Sequence, residues 1–305
     1  MVITKLPSAR HSAMDSGQAA LEEEEKLVKA AKPGGAGVEP EARTRPVTNE
    51  DTMVLSADGT CILTRPNEAA EVKAGLVYLE RDRVVKKSKS GKTRASLLRT
   101  RETSHIGHWE GFAWKLYAIA LVAGLRAVGR VVLLSDGAEW IASMAKAFFP
   151  GAIHIVDFWH AVEYLAAAAR ETFGEKSHQG KAWLARQRQN LRAGKHAQVV
   201  TALRRLRPPR GTTGEKKADA IRYLLNHREQ MRYDQYERAG LPIGSGSIES
   251  RCRHLVGTRM KRAGARWDKE SAQRMLALRV AWRNGEWQRL HPGVNPRYIK
   301  QHVAA

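Results

Sequence analysis

Three carboxylates stand in contexts that suit chemistry at phosphorus. Asp58 lies in Ala57-Asp58-Gly59, Asp136 in Ser135-Asp136-Gly137, and Glu249 in Gly246-Ser247-Ile248-Glu249. Acids crowded at one edge repel each other, and bound divalent cations offset that cost. Hard oxygen ligands suit Mg²⁺ or Mn²⁺, which keep several waters and bind substrate phosphate. Two such ions, about 3.5–4 Å apart, stabilise the attacking and leaving oxygens of an in-line displacement and lower the pKa of a bound water. Each acid also has an ordinary explanation. Asp-Gly is a common turn, Asp136 could cap a helix beginning near Ala138, and Glu249 could serve first-turn electrostatics. Asp157 and His160 form a further D-x-x-H pair.

The elements that must position these acids centre on Val131–Tyr164. Four apolar residues, Val131 to Leu134, end at Ser135-Asp136-Gly137 and read as a buried strand. Trp140, Ile141, Met144 and Phe148 recur at helical spacing, and Pro150-Gly151 ends that helix. Ala152–Val156 is a second strand closing on Asp157, and Phe158, Val162, Leu165 and Ala169 begin another helix. This is a βαβ unit with a parallel pair, whose function collects at the carboxyl edge of the strands.

Upstream, Met53–Ala57 and Cys61–Thr64 read as two short strands hinged on an Asp58-Gly59 turn, with Glu71–Leu79 as a third strand. Arg81–Arg101 reads as a basic loop, and His108–Val128 as a deeply buried helix. Residues 1–50 read as poorly ordered, apart from a short helical piece near Ala19–Ala31. Residues 51–172 hold the first part of an α/β domain. A basic, all-helical insertion covers 173–240, closing helices cover 241–290, and a tail covers 291–305. The fold class expected is α/β: a mixed sheet flanked by helices, with that insertion.

Charge is the loudest bulk signal. The 305 residues carry a net +21, with a pI near 10.3, which suits a polyanionic partner such as DNA or RNA. The apolar stretch Tyr117–Val128 is too short for a membrane span, and no signal-peptide core is visible, so a cytoplasmic, nucleoid-associated protein without membrane contact is expected. Cys61 and Cys252 are too few and too far apart for a zinc ribbon or a disulfide framework.

Three strands, a helix, a fourth strand and an acid on a later helix form the order of ribonuclease H-like enzymes. The chain resembles bacterial insertion-sequence transposases of the DDE type, the Kra4-type group, distantly similar to Mutator-like transposases. Three blocks carry the likeness: Val54–Ile62 with the Glu71–Tyr78 strand; Leu134–Tyr164; and Leu241–Trp267, LPIGSGSIESRCRHLVGTRMKRAGARW. The resemblance implies metal-binding, catalytic acids at Asp58, Asp136 and Glu249, with two Mg²⁺ or Mn²⁺ ions. It implies a supporting role for Asp157 and His160, although a rival assignment makes Asp157 the second acid. It further implies DNA strand cleavage and transfer by an oligomer of this chain bound to transposon ends and target DNA.

Relatives usually carry a substantial region ahead of the first acid, so the short one here leads to the expectation of a truncated copy. Such a copy could be a remnant that only binds DNA. A related nuclease, such as a junction resolvase or ribonuclease H, is another alternative. Arg259, Lys261, Arg262 and Arg266 are the nearest candidates for DNA contact, with Arg186, Arg188, Arg204 and Arg205 on the insertion. Each would set affinity and salt dependence rather than sequence choice. Trp159 and Trp267 could stack on an unpaired base.

Overall fold

The computed structural model describes residues 9–87, 93–244 and 246–290; the expected tail, 291–305, lies outside the described residues. In chain order the strands are β1 (Thr52–Thr64), β2 (Glu68–Leu79), β3 (Arg83–Lys87), β4 (Thr93–Leu97), β5 (Arg101–Ile106), β6 (Arg130–Ser135) and β7 (Ile153–Val156). The helices begin with α1 (Ala9–Ala31), α2 (Trp109–Val122), α3 (Glu139–Phe148) and α4 (Phe158–Phe173). Four more follow: α5 (His178–Arg192), α6 (His196–Arg205), α7 (Glu215–Asn226) and α8 (Tyr233–Arg238). The last are α9 (Gly246–Cys252), α10 (Thr258–Met260), α11 (Lys269–Arg283) and α12 (Trp287–Leu290). Five strands form one mixed sheet in the order β5-β2-β1-β6-β7, flanked by helices, and β3 pairs with β4 alone. This is the α/β class expected. The chain divides into two compact units.

The first unit comprises Met1–Val131, Ser143–Ala152 and Gly246–Ala305. β1 pairs antiparallel with β2 from Met53↔Leu79 to Thr64↔Glu68, and β2 pairs antiparallel with β5. The expected Asp-Gly turn is therefore a correction: β1 runs straight through Asp58 and Gly59, which face Ala74 and Lys73. Apolar residues on both sides of the dipeptide sustain the strand. The true break is Arg65-Pro66-Asn67, where proline removes a ladder donor and Asn67 takes a positive φ of 151°. The basic stretch expected as a loop instead contributes the antiparallel β3–β4 pair.

The N-terminal segment departs most from expectation. α1 is a 23-residue helix, packed along α11 and against α2. A Cβ on Gly17 would stand 2.6 Å from the Arg274 carbonyl oxygen, so glycine permits the close crossing. Glu24 accepts from the buried Lys115 ammonium at 2.6 Å and from Thr103 at 2.9 Å. The following stretch is pinned by charge: Glu41 to Arg101 at 2.7 Å, Arg43 to Asp82 at 2.8 Å, and Asp51 to Arg81 at 2.8 Å. Sequence reasoning saw the polar residues there but not their distant partners.

The second unit comprises Val132–Ala142 and Ile153–Ser245. β6 and β7 pair in parallel, from Val132↔Ile153 to Ser135↔Val156, as the βαβ reading requires. Beyond α4 the unit continues as helices α5 to α8, from His178 to Arg238. Their core is built by Leu191, Val199, Leu203, Ala220 and Leu224, all buried at helical spacing. Tyr233 is fully buried and donates to the Val156 carbonyl at 3.0 Å, tying α8 to the end of β7.

Candidate functional site

Asp58 is half-buried in the middle of β1, and its carboxylate accepts from the Gly59 amide at 2.8 Å. It also accepts from the Cys252 thiol of α9; burial, and then the Asp58 charge, push that thiol's pKa well up, so it stays a neutral donor. α9 packs on β1 and β2, anchored by the buried Ile248 and Cys252. Glu249 stands one turn before Cys252 in the same helix; its side chain lies outside the described residues. The first unit thus brings together Asp58 and the helix that bears Glu249.

A buried ionic cluster holds that helix. Glu102 of β5 is 1% exposed at its side chain and accepts from Arg251 of α9 at 2.6 Å and from Arg283 of α11 at 2.9 Å. Past α9 the chain makes a π-helical turn, Arg253–Gly257, which frees backbone carbonyls. Arg279 of α11 takes up that demand, donating to the carbonyls of Leu255 at 2.7 Å and His254, and to the Thr258 hydroxyl at 3.0 Å. Sequence reasoning missed Glu102 and Arg279. Glu102 lies in a polar stretch with no local periodicity to betray its burial, and Arg279 lies in an apolar helix whose carbonyl partners are remote in sequence.

In the second unit, Asp136 lies just past β6, half-buried, and accepts from the Ala138 amide at 2.9 Å. That bond closes a turn just ahead of α3, and the residue stands at the carboxyl end of β6. The Asp136 carbonyl accepts from the Tyr223 hydroxyl of α7 at 2.5 Å. Gly137 has φ +93°, and a Cβ there would stand 2.9 Å from His227 Nε2. Burial lowers the His227 pKa, and the Asp136 charge opposes that shift. Behind Asp136, the Ser135 hydroxyl and His154 Nε2 are 2.7 Å apart. Burial first, then the His227 charge, lower the His154 pKa to about 4.

Asp157 is 1% exposed and caps α4, accepting from the amides of Trp159 at 2.5 Å and His160 at 2.9 Å. This burial and capping weigh against the rival assignment of Asp157 as the second acid. His160 lies 3.4 Å from Glu163, and its ring meets Tyr164 and Tyr223 edge-on. Tyr164 and Tyr223 stack at 4.0 Å, which joins α4 to α7 beside Asp136.

Among the basic candidates, Lys261 donates to Thr60, two residues along β1 from Asp58. Arg259 lies over the Trp267 ring at 5.9 Å, and Trp267 donates to the Met260 carbonyl at 3.2 Å. Arg262 is exposed and bonds back to the Thr258 carbonyl at 3.0 Å, and Arg266 is exposed. Trp159 is exposed too, at 52%. Among the described residues, no group of three or more His, Cys, Asp and Glu is arranged to hold a metal ion, and the Glu249 side chain is not among those residues. No described helix is long and apolar enough to cross a membrane.

With this geometry in view, the chain was compared with known proteins. No protein-family profile matches it, and no curated protein matches it either. The local geometry and the sequence motifs are therefore what bear on its chemistry.

Proposed function

We propose that the protein is a DDE-type DNA transposase with a ribonuclease H-like core, cleaving and transferring strands of an insertion sequence. One observation carries the reading: α9, the helix bearing Glu249, lies against β1 with its Cys252 thiol bonded to the Asp58 carboxylate. Two acids remote in sequence thereby belong to one neighbourhood. The chain order supports the same reading. Three antiparallel strands, then a helix, a strand ending at Asp136 and a parallel strand follow the order that the resemblance implies.

In this reading Asp58, Asp136 and Glu249 hold two divalent ions. The half-buried carboxylates of Asp58 and Asp136, each fixed by a backbone amide, are the hard donors that Mg²⁺ or Mn²⁺ prefers. When bound, the ions neutralise charge at the scissile phosphate and make a bound water more acidic. Lys261, Arg259, Arg262 and Arg266 contact DNA phosphates; Asp157 fixes the start of α4, which His160 joins to α7. The partners are transposon ends and target DNA, engaged by an oligomer of this chain.

The test is strand cleavage with Mg²⁺ on a DNA bearing the element's terminal repeats. Asp58→Asn, Asp136→Asn and Glu249→Gln each abolish cleavage while DNA retention persists. A variant that cleaves as fast as the parent removes that residue from the assignment. A parent that retains the DNA but never cuts it supports the DNA-binding remnant instead.

A further inference from the structure

The helical insertion carries a groove whose chemistry the acid site does not use. α5 and α6 form a helical hairpin turned at Gly194, which takes φ +71°. Trp183, Arg186 and Gln187 share one face of α5 by i, i+3, i+4 spacing, and Gln198, Thr201 and Arg205 share the facing side of α6. Between them lies a cavity of ≈ 670 Å³ with no acidic residue in its lining. Arg186 and Arg205 are both exposed, and neither has an ion-pair partner among the described residues. Other arginines of the insertion are ion-paired, such as Arg192 with Glu237 at 2.6 Å and Arg222 with Asp219 at 2.6 Å; Arg186 and Arg205 are distinguished by lining the groove.

Two open guanidiniums, an indole and a row of amide and hydroxyl groups define the class of ligand. Guanidinium favours phosphate, and its planar fork holds two oxygens at once. Indole offers an apolar face that any base can stack on. Gln187 is 4% exposed and already accepts from Asn190 at 3.3 Å, so its amide is held in place at the groove floor. From Ala197 to Arg205 the α6 face extends about 12 Å at the helical rise of about 1.5 Å per residue. That length accommodates a short run of backbone phosphates along one strand.

We propose that the α5–α6 groove binds a short run of unpaired nucleotides, with Arg186 and Arg205 on phosphates and Trp183 against a base. An unpaired base is required because a duplex buries both faces of its bases in the stack. The chemistry is shared by single-stranded DNA and RNA. The inference does not depend on the acid assignment, and it holds equally for a protein that binds but never cuts.

The test measures binding of the full chain to labelled oligomers of about ten nucleotides, a usual site size. Single-stranded DNA, single-stranded RNA of the same bases and blunt duplex DNA form the three arms. Trp183→Ala weakens single-strand binding on the order of tenfold and leaves duplex binding little changed; Trp183→Phe restores most of the loss. Arg186→Gln and Arg205→Gln each flatten the salt dependence of single-strand binding by about 0.7 in the log–log slope. Lys181→Gln, on the same helix and exposed but outside the groove lining, leaves that slope unchanged. The single-stranded arm with the larger loss names the source of the ligand. The proposal fails if the groove variants bind single strands like the parent, or if single-strand and duplex binding fall together. Should Trp183→Ala not fold, the two exposed arginine variants decide alone.

Discussion

At the scale of single residues, buried charge does more here than the sequence discloses. Glu102 gathers Arg251 and Arg283, whose side chains are 24% and 23% exposed, while its own is 1% exposed. Glu102→Gln leaves two partly buried guanidiniums without their counter-charge, so unfolding free energy falls by about 3 kcal/mol. Glu237→Gln breaks a pair whose arginine is 59% exposed and costs under about 1 kcal/mol. Denaturant titration of both variants checks the contrast, and equal losses would remove Glu102 as the anchor of α9. Asp136 and Glu249 were legible as acids beside a strand end and in a helix's first turns, because glycine and apolar runs mark such ends, whereas Asp58 was read at a strand end and stands in mid-strand. Glu102 was not, because its partners stand far away in sequence and leave no local pattern.

At the scale of elements, the two largest departures have the same origin: tertiary contacts override local signals. Asp58-Gly59 carries a turn signature, yet twelve consecutive residue pairs hold β1 to β2 through it. α1 lacks a strong apolar stripe, yet α11 accepts it because Gly17 lets the backbones approach. That contact sets two effects against each other in Gly17→Ala. Helix propensity favours alanine by about 1 kcal/mol, since glycine loses more chain entropy on folding. The new methyl would meet a backbone carbonyl at 2.6 Å, and forcing a packed helix apart costs about 1–3 kcal/mol. The clash wins, because the obstacle is backbone and cannot swing aside. Gly17→Ala therefore lowers the thermal midpoint and exposes α1 to protease; a raised midpoint would show that the α1–α11 crossing has room for a methyl group. By contrast, the βαβ unit from β6 to α4 was readable in advance, since strand and helix periods alternate there without long-range help.

At the scale of the whole molecule, charge and buried imidazoles set the response to acid. Each compact unit carries a ring that stays neutral in the fold. Burial, then the Lys115 and Lys73 charges, lower the His105 pKa to about 4, and burial lowers that of His154 to about 4. His196 and His227 are lowered as well, mainly by burial. An unfolded imidazole titrates near 6.5, so between about pH 6.5 and 4 the unfolded chain binds protons that the folded chain refuses. Stability is therefore fully present above about pH 6.5 and is lost as pH falls through this window. The slope reaches at most about 1.4 kcal/mol per pH unit for each ring, and less for the more exposed His105. A net charge of +21 at pH 7 adds self-repulsion as more protons bind. Denaturant titrations from pH 4.5 to 7.5 check the slope, and His154→Gln flattens it at the cost of the bond to Ser135. An unfolding free energy that stays level across the window would mean that these rings are already protonated in the fold. The sequence counted the histidines, but only the packing of β5 and β7 decides which of them refuse a proton.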